Sequence, residues 1–124
     1  MSKALVVDDS RAMRLILAGA LGELCFDVMQ AANGVEALEI VAREGQAMSL
    51  ALVDWNMPEM TGIDFVRRLR AQRAYDHVPL IMVTTETEIE QVALALEAGA
   101  NEYIMKPFTC DAIADKLRLL GVVQ

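Results

Sequence analysis

Leu50-Ala51-Leu52-Val53-Asp54-Trp55-Asn56-Met57-Pro58 is the stretch that decides the fold of this chain. Its first four residues are apolar without alternation, and a carboxylate follows at once. A strand with one wet face alternates polar and apolar residues. An unbroken short run instead fits a strand buried on both faces, the condition of a parallel sheet. Three further runs share this character: Ala4-Leu5-Val6-Val7, Leu80-Ile81-Met82-Val83 and Tyr103-Ile104-Met105. A fifth, Asp27-Val28-Met29-Gln30-Ala31, is polar at two positions and reads as an edge strand.

Helical patterns fill the gaps. Met13, Ile16, Leu17, Ala20, Leu21 and Leu24 recur at i, i+3, i+4, i+7, i+8 and i+11, a one-sided apolar stripe. Shorter stripes are Ala37-Leu38-Val41-Ala42, Phe65-Val66-Leu69, Ile89-Val92-Ala93-Leu96 and Ile113-Ala114-Leu117-Leu120. Ser10 and Thr109 stand where helices would be N-capped, and Gly45, Gly99 and Gly121 where they would stop. Strict alternation makes five βα units. The expected fold is α/β, a doubly wound five-stranded parallel sheet with five helices, because right-handed crossovers place helices on both faces.

Composition limits what such a fold could do. With 124 residues, 55% hydrophobic and 23% charged, the chain reads as one globular domain over residues 1–124. Its formal net charge of −7 argues against nucleic acid or an anionic membrane as a direct partner. The mean hydropathy is +0.33, yet charge-free windows such as Leu15 to Gly22 fall short of the roughly 18 apolar residues a span requires. Lys3 precedes only Ala4-Leu5-Val6-Val7 before Asp8-Asp9, too short for a secretory signal. Cys25 and Cys110 form neither CxxC nor CxxH spacing, so a zinc site or disulfide framework is not suggested. A reduced, cytoplasmic protein is expected.

Open parallel sheets bind ligands at the carboxyl ends of their strands. The residues found there are Asp8-Asp9, then Asp54, then Thr84-Thr85, then Lys106-Pro107. One Asp pair after a strand often only caps the next helix; suitable groups at four strand ends together point to a site. Two carboxylates about 4 Å apart repel by roughly 4 kcal/mol at an effective dielectric near 20, so three need a cation or raised pKa values. Oxygen-only ligands without His or Cys suit Mg²⁺. The Lys106 ammonium and Thr84 hydroxyl offer charge and a donor to phosphoryl oxygens. Asp54, central on its strand, is the candidate nucleophile for an acyl phosphate.

These residues resemble the receiver domain of bacterial response regulators, and in particular its single-domain chemotaxis branch. The likeness covers essentially the whole chain. Val6-Val7-Asp8-Asp9-Ser10, Asp54-Trp55-Asn56-Met57-Pro58-Glu59-Met60-Thr61-Gly62, Met82-Val83-Thr84 and Lys106-Pro107-Phe108-Thr109 carry it. It implies a flavodoxin-like strand order, 2-1-3-4-5, and phosphorylation of Asp54 by a histidine kinase phosphohistidine. Asp9, Asp54 and the Asn56 backbone carbonyl would ligate Mg²⁺ directly, with Asp8 acting through water. Lys106 would contact a phosphoryl oxygen, and the Lys106-Pro107 bond would be cis. Thr84 would move toward the phosphoryl group while Tyr103 turns inward. The resemblance implies a monomeric switch, not an enzyme, whose fourth-helix, fifth-strand and fifth-helix face meets an output protein: the flagellar motor switch or a phosphotransfer protein. No further output domain is expected after the last helix.

Some positions depart from that pattern. Thr85 stands where the family usually has a smaller residue, bordering the entrance to the phosphoryl site. Glu86, Thr87, Glu88 and Glu90 occupy the start of the fourth helix, where motor-binding members carry lysines. Acidic residues there also suit the helix dipole. A receiver that shuttles or sinks phosphate without binding the motor is therefore an alternative.

An aspartyl-phosphate phosphohydrolase would need a second Asp two residues after the nucleophile, but Asn56 stands there and cannot shuttle a proton. An FMN carrier would need a donor-rich loop after the first strand, where Asp8-Asp9 has the wrong charge. His77 has no second ligand spaced to help it. Met13, Met29, Met82 and Met105 read as core filling. Trp55, beside Asp54, is placed to sense a cation or phosphate. Lys116 and Arg118 read as solvated surface that could also meet an acidic partner.

Overall fold

The computed structural model describes residues 2–44, 47–55, 57–85 and 89–123. Five strands and five α-helices alternate along the chain: β1 (Lys3–Val7), α1 (Arg11–Glu23), β2 (Asp27–Ala31), α2 (Gly34–Glu44), β3 (Met48–Asp54), α3 (Gly62–Arg70), β4 (Leu80–Thr84), α4 (Ile89–Ala98), β5 (Glu102–Met105) and α5 (Cys110–Leu119). A single 3-10 turn, Arg73–Tyr75, separates α3 from β4. The sheet is parallel throughout in the order β2-β1-β3-β4-β5. The fold is the one the alternating runs predict, and β2 lies at an edge as its two polar positions imply.

Alternation along the strands divides the core in two. Leu5, Val7, Ala51, Val53, Leu80 and Met82 face a layer that includes Ala37 and Val41 of α2, Phe65, Val66 and Leu69 of α3, and Ala95 of α4. Their neighbours Ala4, Val6, Leu50, Leu52, Ile81, Val83 and Ile104 face Leu17, Ala20 and Leu21 of α1 and Ile113 and Leu117 of α5. Both faces of the central strands are therefore dry, which is why their sequences lack a polar period. Burying a Leu, Ile or Val side chain contributes roughly 1.5–3 kcal/mol relative to exposure.

Helix ends follow local chemistry. The Ser10 hydroxyl accepts from Met13 N–H and the Thr109 hydroxyl from Ala112 N–H, as expected. Thr61 and Asn33 do the same for Asp64 and Glu36, two caps the sequence reading did not name. Gly99 and Gly121 take positive φ of 121° and 74° after α4 and α5, whereas Gly45 lies outside the described residues.

Three expected stripes need correction. Ile16 is 53% exposed, so the buried face of α1 is narrower than its apolar stripe. Ala42 is exposed at the end of α2, where Ile40 is buried instead. In α4, Ala93 and Leu96 point outward and Ala95 is the buried residue; nothing is described for the Ile89 side chain. The α5 stripe holds to its end, where Leu120 is half-buried against the α1–α5 core. Among the methionines Met82 is fully buried and Met13 and Met29 are half-buried against the two core layers, whereas Met105 is half-buried outside them; Met48, Met57 and Met60 are further core residues. Among the described residues no helix is long and apolar enough to cross a membrane.

Candidate functional site

Register brings the acidic residues together. Val7 of β1 pairs with Val53 of β3, so the next residues, Asp8 and Asp54, stand side by side at the carboxyl edge, Asp54 as the last residue of β3. Each lies two residues beyond a side chain of the α1–α5 core, Val6 and Leu52, and so points to that face. Both are buried, while Asp9 on the following turn is exposed. One carboxylate oxygen from each of Asp8, Asp9 and Asp54 lies within 4.8 Å of the others.

The turn after β1 is fixed by its own side chains. Ser10 N–H donates to Asp8 Oδ1 at 2.9 Å, while Arg14, one turn into α1, donates from Nη1 to the Asp8 carbonyl at 2.7 Å. The spacing Asp-x-Ser signals the first contact, an Asx turn that the reading of Ser10 as a cap left out. No sequence signal marks Arg14. Behind Asp54, Gly62 N–H donates to the Trp55 carbonyl at 3.0 Å. A Cβ on Gly62 would collide with the Asp54 carbonyl oxygen and come 2.7 Å from Met82 Cε. Only glycine lets α3 start so close to the nucleophile candidate.

Lys106 reaches in from the end of β5. Its Nζ is 3.0 Å from Asp54 Oδ1 and 3.4 Å from Asp8 Oδ2, and the Lys106-Pro107 peptide is cis. Burial raises the Asp54 pKa; the hydrogen bond from Lys106 opposes this, and the charges of Asp8 and Asp9 reinforce it, so the net shift is upward. For Lys106 burial acts downward, but its bonds and attraction to Asp54 and Asp8 outweigh it and the pKa is raised. The ion pair alone would lower Asp54. It does not win, because burial of the carboxylate outweighs it and the charges of Asp8 and Asp9 add to the upward shift.

Hard oxygen donors, crowded and partly buried, with too little positive charge among the described residues, suit a small divalent cation rather than a soft metal. Asn56, the third expected ligand, lies outside the described residues. Thr84 is buried at 1% exposure and shares the α2–α4 face with Met82, two residues before it. Tyr103 pairs with Met82 across the sheet and packs, half-buried, against that same core. Thr84 and Tyr103 thus lie on one face of adjacent strands, opposite the face that carries Asp54.

The remaining residues named from sequence are scattered. Thr85 is exposed beside Thr84, and Glu90 is exposed in the first turn of α4, while Glu86, Thr87 and Glu88 lie outside the described residues. Trp55 is half-buried against the core. His77 is exposed, and Cys25 and Cys110 are free thiols. Arg118 pairs with Asp115 at 3.0 Å on the surface; Lys116 is half-buried and pairs with Glu102 at 3.1 Å.

Comparison with known proteins agrees with this geometry. The family model described as the response regulator receiver domain matches residues 4–118. A protein named chemotaxis protein CheY homolog from Campylobacter jejuni is 45% identical over 116 residues, covering 93% of this chain and 88% of its own. Chemotaxis protein CheY1 from Helicobacter pylori is 44% identical over 119 residues, 95% of each chain. Among solved structures, CheY4 of Vibrio cholerae superposes with a TM-score of 0.86 at 36% identity, covering 96% of this chain and 98% of its own. Parallel order, acidic strand ends, the lysine that meets them and relatives named for chemotaxis converge on one conclusion: this chain belongs to the response regulator receiver domain family.

Proposed function

We propose that residues 1–124 act as a phosphorylation switch in the cytoplasm, accepting a phosphoryl group on Asp54 from the phosphohistidine of a histidine kinase. The observation that supports this most is the Asp54 carboxylate at the end of a central strand, crowded by Asp8 and Asp9 and met by Lys106 at 3.0 Å. A carboxylate oxygen of Asp54 attacks phosphorus; the phosphorus–nitrogen bond breaks, and the imidazole leaves with the electron pair. Lys106 is positioned to follow the phosphoryl oxygens as the Asp54 carboxylate gives up its own charge to the new acyl-phosphate (mixed anhydride) bond. Asp8, Asp9, Asp54 and the Asn56 carbonyl would hold Mg²⁺, which supplies charge neutralisation at the phosphoryl oxygens.

A new dianion on Asp54 adds acceptors beside the Lys106 ammonium, and the Thr84 hydroxyl, at the end of the neighbouring strand, is a donor that would have to turn toward it. Movement of Thr84 toward it opens space on the α2–α4 face, and Tyr103, on the adjacent strand of that face, is placed to fill it. The face of α4, β5 and α5 then changes, and an output protein reads the change. Relatives named for chemotaxis support the flagellar motor switch as that output. Exposed Glu90 at the head of α4 favours the second reading, a phosphotransfer partner without motor binding.

Incubation with acetyl phosphate and Mg²⁺, followed by intact mass measurement, tests the acceptor. One phosphoryl group should be gained, and it should be lost in Asp54→Asn and in chelator. A gain that persists in the variant refutes Asp54 as acceptor. Binding of a motor-switch N-terminal peptide that rises with an acyl-phosphate mimic supports the motor output; unchanged binding leaves the phosphotransfer reading.

A further inference from the structure

β5 is an edge strand, and its open side is not bare. Lys106 N–H donates to the Thr84 carbonyl across β4 at 2.7 Å. Alternation along a parallel strand therefore turns Ile104 N–H toward β4 and Tyr103 N–H toward the open edge. There Tyr103 N–H donates to Glu102 Oε1 at 3.0 Å. The same oxygen lies 3.1 Å from Lys116 Nζ, and that ammonium stands 4.9 Å from the centroid of the Tyr103 ring. One carboxylate oxygen of Glu102 thus binds both the edge donor of Tyr103 and the cation covering its ring. Neither side chain is freely solvated, with Lys116 30% and Glu102 24% exposed. The ring, with Pro107, Phe108 and Ala112, also lines a groove of about 400 Å³ between β5 and α5.

We propose that Glu102 and Lys116 are positioning residues for Tyr103, holding its ring in the half-buried place it occupies and keeping the edge of β5 capped until the ring moves. A cation over an aromatic face is favourable by roughly 0.5–1 kcal/mol at exposed sites, a factor of about two to five in a population. The ion pair adds to this by fixing the ammonium over the ring rather than leaving it in solvent. Glu102 acts on the ring only through Lys116 and through the backbone of Tyr103. Its consequence for signalling rests on the reading of Tyr103 as the moving half of the switch.

The chain has two tyrosines, Tyr103 and Tyr75, and Tyr75 is buried with its hydroxyl 3.4 Å from the Val41 carbonyl. Full-length protein carrying 3-fluorotyrosine therefore reports Tyr103 by ¹⁹F NMR, with Tyr75 as an internal control of the fold. Glu102→Gln and Lys116→Met should each displace the resting Tyr103 resonance, and high salt should displace it in the same direction in the wild type. Lys116→Arg should restore the resting position, and the Tyr75 resonance should stay fixed throughout. Addition of beryllofluoride with Mg²⁺ should complete the displacement, at about threefold lower beryllofluoride in the two clamp variants than in the wild type. A resting Tyr103 resonance unchanged in both variants overturns the proposal. Displacement by the variants, with no response of the wild type to beryllofluoride, instead refutes Tyr103 as the switch and leaves the clamp standing.

Discussion

Two partly buried cations stand at opposite ends of the sheet, and they are held in opposite ways. At the carboxyl edge Lys106 faces carboxylates, Asp54 at 3.0 Å and Asp8 at 3.4 Å, with Asp9 close by. At the amino edge Arg70 faces neutral oxygens. Its Nε donates to the Gly99 carbonyl at 3.0 Å, Nη1 to Tyr75 at 2.7 Å, and Nη2 to Val78 at 2.7 Å and to Asn101 Oδ1 at 2.9 Å. Asn101 Oδ1 also accepts Leu80 N–H at 2.9 Å, which ties the start of β4 into the same knot. Gly99, at φ 121°, leaves the room: a Cβ there would come 2.5 Å from Arg70 Cγ. Four hydrogen bonds hold the Arg70 guanidinium at this end in the resting protein. At the other end an excess of negative charge waits for a cation. One end is built for stability, and the other gives some of it up for chemistry.

Removing Arg70 should have the largest effect. Arg70→Ala leaves several carbonyls and Asn101 short of a donor and should cost about 3 kcal/mol in urea unfolding, while acetyl phosphate labelling of Asp54 per folded molecule stays unchanged. Labelling that falls in parallel with stability would mean the two ends are not separate. Gly62→Ala lies where the two demands meet. Its methyl group must displace the chain behind Asp54 or the Met82 side chain, so it should cost about 2 kcal/mol and also slow phosphorylation at matched folded fraction. Loss of stability with normal phosphorylation would show that α3 can retreat without disturbing the acceptor.

Much of this was legible in the sequence. The strands were, because burial on both faces leaves unbroken apolar runs such as Leu50 to Val53. The acidic edge was legible because parallel strands deliver whatever follows each run to the same side, and Asp8, Asp54, Thr84 and Lys106 follow four of them. Helix faces were harder. In α4 the buried position is Ala95, while Leu94 and Leu96 are 44% and 46% exposed, so a stripe drawn through the largest side chains runs down the wrong side. Close packing between α3 and α4 favours a small residue at the contact. The Arg70 knot was invisible for a different reason: its acceptors are mostly backbone carbonyls, which every residue carries. The Glu102–Lys116 pair joins a strand to a helix across fourteen residues, a separation with no period to reveal it.

The smallest effect expected is also the most direct on the central claim, that the carboxyl edge is short of positive charge. Asp54 has a raised pKa, so its proton binds more tightly in the folded than in the unfolded chain. Stability from that difference is present below the unfolded pKa and is lost as pH rises through the folded value. In chelator at neutral pH, Asp54→Asn should therefore melt about 3–5 °C above the wild type, a gain of about 1 kcal/mol. The gap should close as the pH falls and Asp54 takes up its proton. Mg²⁺ should stabilise the wild type more than the variant and so narrow or reverse the order. A wild type that melts at or above Asp54→Asn in chelator, with no greater gain from Mg²⁺, would contradict the claim.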